Sequence, residues 1–85
     1  MRSFTYCIQD DLGIHARTAG QLAMLAGDCK SMVVIDNGSK RENVKRLMAV
    51  MGMGVKKGQT VTVIVEGEDE DTVVALIEDF FHTNL

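Results

Sequence analysis

The sequence predicts an α+β fold, a mostly antiparallel sheet with helices laid on one face, and three observations carry that prediction. Phe4, Tyr6 and Ile8 alternate with Ser3, Thr5 and Cys7, and Val61, Val63 and Val65 alternate with Thr62 and Ile64, the period of two expected of strands. Apolar residues recur three and four apart within 16–26, 44–51 and 69–82, the spacing of amphipathic helices. The resulting order, β-α-β-β-α-β-α, has helices long enough to cover only one sheet face, which fits an α+β layer and not a doubly wound sheet.

The first strand is assigned to residues 2–8. Polar, turn-rich Gln9–Gly13 follows, and Ala19, Leu22, Ala23 and Ala26 then mark a first helix over Ala16–Ala26, with Gly27 as its stop. Its other face gathers Arg17, Gly20, Gln21 and Met24 on the side of His15, which leaves Met24 exposed. Met32–Ile35 reads as a partly β-branched strand, with Met32 as a core gap-filler. Asn37-Gly38 offers the positive-φ pair of a tight hairpin, leading into a short, charged edge strand, Lys40–Asn43.

Val44, Leu47, Met48 and Met51 keep helical spacing until Gly52 and Gly54, so a second helix of about two turns is expected there. Lys57-Gly58 turns the chain into a strand, Thr60–Glu66, whose apolar character on both faces places it centrally. The acidic residues Glu68–Asp71 open a last helix, Asp69–His82, with Val73, Leu76, Ile77 and Phe80 facing the core.

Eighty-five residues bound the chain to a single domain, 1–85, with one core. A net charge of −3 argues against nucleic-acid binding, which needs a basic stripe, and only Phe4, Tyr6, Phe80 and Phe81 could stack a base. No apolar run reaches the roughly 20 residues of a membrane span, and the start of the chain reads as a strand and not a signal peptide, so a cytoplasmic protein without membrane insertion is expected. Cys7 and Cys29 lack framework spacing and read as free, buried or half-buried thiols. No cofactor is indicated, and no metal: Cys7, Cys29, His15 and His82 lack paired ligand spacing, and Glu66–Asp71 lacks the pattern of a calcium loop.

The chemistry concentrates in Gly13-Ile14-His15-Ala16-Arg17. It places an imidazole where the first helix opens, beside a fixed positive charge and among amides that lack helical partners, which is a phosphate-handling arrangement. A nucleophilic imidazole must be uncharged, and a positive surrounding favours that form. The same groups, Arg17 and the first-turn amides of Ala16, Arg17 and Thr18, can then hold the oxygens of an arriving phosphoryl group.

That pentapeptide, in the β-α-β-β-α-β-α order, resembles the HPr phosphocarrier family of the bacterial sugar phosphotransferase system. The similarity extends over the whole chain, through Asn37-Gly38, the Asn43–Gly54 segment and Gly67-Glu68-Asp69-Glu70. It implies an open-faced β-sandwich with strand order 1-4-2-3 and three helices on one face. It also implies that His15 is phosphorylated at Nδ1 by Enzyme I, with phosphoenolpyruvate as ultimate donor, and passes the group to sugar-specific IIA domains. Such a carrier is used stoichiometrically and is not an enzyme; a monomer suits the role. Gly20, Gln21, Met24, Arg46, Leu47, Met48, Met51 and Met53 are the expected partner surface, methionine being adaptable to varied partners.

Three positions depart from the family pattern. Thr18 stands where the family usually has proline, and its N–H or hydroxyl is expected to reach a phosphoryl oxygen while loosening the start of the helix. Arg46 follows Lys45 where relatives commonly carry a serine that a kinase can modify, so that switch is absent; Arg46 either meets a partner's acidic surface or is solvated. Glu42 puts a carboxylate on an edge strand that tends to be apolar, and reads as edge protection. These departures keep a second reading open, a regulatory HPr-like binding protein in carbon or nitrogen control whose partners include transcriptional regulators. A third, a small ligand-binding α+β domain, would require a polar pocket that the sequence does not supply.

Overall fold

The computed structural model describes residues 1–85. In chain order the elements are β1 (Arg2–Cys7), α1 (Ala16–Gly27), β2 (Met32–Asp36), β3 (Arg41–Asn43), α2 (Leu47–Gly52), β4 (Thr60–Glu66) and α3 (Glu70–Asn84). The four strands form one antiparallel sheet in the order β1-β4-β2-β3. β4 lies between β1 and β2, with Val61, Val63 and Val65 fully buried on one face and Thr62 and Ile64 half-buried on the other. That two-sided burial is the physical meaning of its uninterrupted apolar run.

The helices cover one face. Val33 and Ile35 of β2 and the three valines of β4 point into a core completed by Leu22 and Ala26 of α1, Val50 of α2, and Ile77 and Phe81 of α3. Phe81 is fully buried and meets Phe4 and Tyr6 edge to face, with ring centroids 5.5 and 5.6 Å apart. These T-shaped contacts fix α3 against β1. The opposite face carries Ser3, Thr5, Cys7, Thr60 and Glu66, all exposed.

Several expectations are corrected. Val44 lies before α2: its amide donates to Val33 O at 2.9 Å, prolonging the β2–β3 pairing, and its side chain is buried beside the sheet. The helix therefore begins at Leu47, after a turn in which Asn43 accepts from the Lys45 amide through its side chain and from the Arg46 amide through its carbonyl. Leu76 is 47% exposed, and the buried stripe of α3 runs through Val73, Val74, Ile77, Phe80 and Phe81, one step around the wheel. Met32 is 55% exposed on the uncovered face, because strand parity turns Val33 and Ile35 inward.

The β2–β3 connection turns at Gly38-Ser39 and not at Asn37-Gly38, because Asn37 N donates to Lys40 O at 3.1 Å and continues the Asp36–Arg41 pairing. Only Gly38 has a positive φ, and the Asn37 side chain accepts from the amides of Ser39 and Lys40, fixing the turn from within. Both cysteines are free, but Cys7 is exposed; Cys29 is half-buried, its thiol donating to Leu25 O, and burial pushes that thiol up.

Candidate functional site

The loop from Gln9 to His15 is built so that one residue is clamped and the next is presented. Gly13 adopts φ +67°, and a Cβ there would lie 2.2 Å from Val55 O. Only glycine lets the backbone approach that closely. Ile14, 7% exposed, anchors in the core and donates its amide to Val55 O at 3.0 Å. His15 follows in extended conformation (φ −124°, ψ −178°) as the N-cap of α1, so its ring emerges where the helix opens.

The first helical hydrogen bond runs from Ala19 N to His15 O at 2.8 Å. The amides of Ala16, Arg17 and Thr18 precede it and lack helical partners. No acidic residue sits in the first turn of α1, so the partial positive charge of that end is not neutralised from within the helix. The imidazole lies in capping position over the Thr18 amide without a full hydrogen bond to it. Arg17 is exposed and enters none of the chain's ion pairs.

Thr18 behaves otherwise than expected. It is fully buried, and its hydroxyl accepts from His15 N at 3.1 Å and donates to His15 O at 3.2 Å. The hydroxyl is thus engaged with the backbone of His15, and it ties down the start of α1 instead of loosening it. The threonine side chain does what a capping box does, satisfying the N-cap amide from the third helical position.

Sequence reasoning missed Asp10. Its Oδ2 lies 3.8 Å from Nε2 of His15, with both side chains partly exposed. The surroundings of the ring are therefore not uniformly positive. That leaves Nδ1 as the ring nitrogen on the side of the helix amides. A carboxylate five residues before a histidine carries no periodic signal; only the chain reversal at Gly13, where Gly13 N donates to Asp10 O, brings the two together.

Of the expected partner surface, Met24 and Met48 are 75% and 76% exposed, Gln21, Arg46 and Leu47 are exposed, and Gly20 and Met51 are half-buried. α1 packs on both α2 and α3, and Gln21 and Met24 lie over the α1–α3 side, lining a depression with Phe80 and Asn84, whereas Arg46, Leu47 and Met48 stand at the start of α2. Met53 does not belong with them: it is 8% exposed and part of the core, at the C-cap of α2. Arg46 and Glu42, two of the three departures from the family pattern, face each other at 3.9 Å. Arg46 thus has a partner within the chain, an exposed pair of small energetic consequence.

The family model for the HPr component phosphorylation site of the phosphotransferase system matches residues 2–83. The chain belongs to the HPr family. It is 41% identical over 71 residues to the phosphocarrier protein HPr of Lysinibacillus sphaericus, covering 84% of this chain and 81% of that protein. Among solved structures, it is similar to a histidine-containing phosphocarrier protein from Mycoplasma, with a TM-score of 0.90, 34% identity and coverage of 93% and 90% of the two chains. It is likewise similar to HPr of Thermoanaerobacter tengcongensis, with a TM-score of 0.91, 29% identity and coverage of 98% and 93%. The open-faced sandwich with strand order 1-4-2-3 is that of the HPr structures. No helix is long and apolar enough to cross a membrane.

Proposed function

We propose that this HPr-family chain carries a phosphoryl group on Nδ1 of His15, accepting it from Enzyme I, with phosphoenolpyruvate as ultimate donor, and passing it to IIA domains of sugar permeases. The observation that supports this best is the position of His15. Its ring is partly exposed at the opening of α1, where three first-turn amides lack helical partners and Arg17, exposed and in no ion pair, follows two residues on.

The Nδ1 lone pair attacks phosphorus in line as the bond to the donor breaks, and the donor keeps the electron pair. Such transfers pass through a loose transition state whose barrier is lowered mainly by positioning and charge. The amides of Ala16, Arg17 and Thr18 and the Arg17 guanidinium hold the phosphoryl oxygens in both directions of transfer. The partner protein supplies the rest of the site, so the chain works as a stoichiometric carrier and not a turnover catalyst, as a monomeric single domain in the cytoplasm. Gly20, Gln21, Met24, Arg46, Leu47, Met48 and Met51 form its contact surface.

The test is incubation with Enzyme I and phosphoenolpyruvate, followed by intact mass measurement. One acid-labile phosphoryl group is expected on the wild type, none on His15→Ala, and slower loading of Arg17→Ala at an unchanged melting temperature. A wild type that gains no mass, or His15→Ala that still does, would overturn the reading. Discharge onto IIA domains then tests the second half of the relay.

A further inference from the structure

We infer that Asp10 is a positioning residue for His15, its carboxylate holding the proton on Nε2 and thereby directing phosphoryl transfer to Nδ1. This rests on the phosphocarrier reading and concerns which ring nitrogen reacts.

Asp10 is anchored independently of the histidine. Its Oδ2 accepts the Leu12 amide at 3.1 Å, its carbonyl accepts the Gly13 amide at 3.0 Å, and its own amide donates to the main-chain oxygen of Leu85 at 2.8 Å. The oxygen that faces Nε2 at 3.8 Å is the one pinned by Leu12. A neutral asparagine would serve the turn equally well, so the turn does not account for the charge. The nearest cation does not account for it either: Lys57 is taken by the adjacent Asp11 at 2.7 Å and feels Asp10 only at longer range, and the one ion-pair contact that Asp10 makes is with His15.

A carboxylate only accepts hydrogen bonds, and a neutral imidazole has one N–H to give. Beside Oδ2 that proton sits on Nε2, which leaves the Nδ1 lone pair on the side of the first-turn amides. When the Nδ1–P bond forms and the donor bond breaks, the ring becomes more positive, and Asp10 offsets that charge through Nε2–H, as a buried aspartate does for the histidine of a catalytic triad. On discharge the electron pair returns to Nδ1 and the Nε2 proton stays in place. A phosphoryl group on Nε2 would instead set its negative oxygens against the Asp10 carboxylate. The gap of 3.8 Å is of the kind that closes once partner and phosphoryl group are bound.

Two readouts that a purely structural residue would not move test this on the wild type, Asp10→Asn and Asp10→Ala. The first is the ratio of the two neutral tautomers of His15, from 15N–1H spectra at alkaline pH. The Nδ1–H fraction should rise about fivefold in the variants, the scale of a partly exposed charge pair. The second is the product of phosphoramidate, a donor that needs no enzyme and releases ammonia as its P–N bond breaks. The wild type should yield the Nδ1 adduct alone and the variants a mixture with Nε2. An unchanged tautomer ratio or an unchanged product in Asp10→Asn, which keeps the Leu12 turn should Asp10→Ala fail to fold, overturns the assignment. Failure of Enzyme I to load the wild type would overturn the carrier reading instead and leave both readouts standing.

Discussion

At the scale of single residues, Thr18 shows how a departure from a family pattern is absorbed. Proline there would omit an N–H that has no helical partner. Threonine keeps the N–H and uses its buried hydroxyl to satisfy both backbone groups of His15. Thr18→Val, which preserves shape but removes that hydroxyl, leaves the His15 amide without its partner. It is expected to cost about 1–3 kcal/mol in denaturant unfolding. Because the lost contact holds the residue that carries the imidazole, loading by Enzyme I should also slow. A drop in stability with loading unchanged would confine Thr18 to the fold. None of this was legible in the sequence. The identity of residue 18 shows that a hydroxyl is present, but its direction depends on the backbone turn at His15.

At the scale of elements, the start of α3 is tied to the chain between α1 and β2. Asp69 accepts from the Lys30 amide, the Ser31 amide and the buried Ser31 hydroxyl, while Gly67 packs so closely that a Cβ would lie 2.6 Å from Ser31 Cα. The hydroxyl and the amides hold the Asp69 carboxyl below its ordinary value of 3.8. The unfolded chain binds that proton more readily than the folded one, so the contribution is complete above the unfolded value and is lost as pH falls through the lower, folded value. Asp69→Asn should therefore lower the melting temperature at neutral pH, and the gap to the wild type should close as pH drops below about 4. A gap that stays constant with pH would separate the network from the charge. Acidic residues before α3 were legible in the sequence as a helix start. Their reach across 38 residues to Ser31 was not, because hydrogen bonding between distant segments leaves no periodic trace. Alternation made the bounds of β4 readable to the residue and those of β1 to within one, Ile8 lying just past its end. At α2 a six-residue helix abuts an edge strand, and the spacing of Val44 matched both.

At the scale of the whole molecule, the proposed site has first-turn amides on one side of the imidazole and the Asp10 carboxylate on the other, and the helices α1 and α2 carry exposed apolar side chains. The pentapeptide made the histidine, the arginine and the helix end readable from sequence alone. Met24 was readable as exposed from the wheel of α1, but the depth of the methionines around α2 was not, since Met48 and Met53 lie five residues apart at its two ends with opposite burial, 76% against 8% exposed. Methionines this exposed have no role in folding that would explain them, and adaptable apolar surface is what the proposed carrier role requires. Met24→Glu and Met48→Glu place charge on α1 and α2 without touching the core. Each is expected to leave the melting temperature within the narrow range of surface substitutions and to leave phosphoramidate labelling of His15 unchanged. Loading by Enzyme I at limiting concentration should fall about tenfold, the loss expected when an interface anchor is replaced by a charge. Equal losses with Enzyme I and with phosphoramidate would mean that the methionines act on the histidine itself, and no loss with either would remove them from the contact surface.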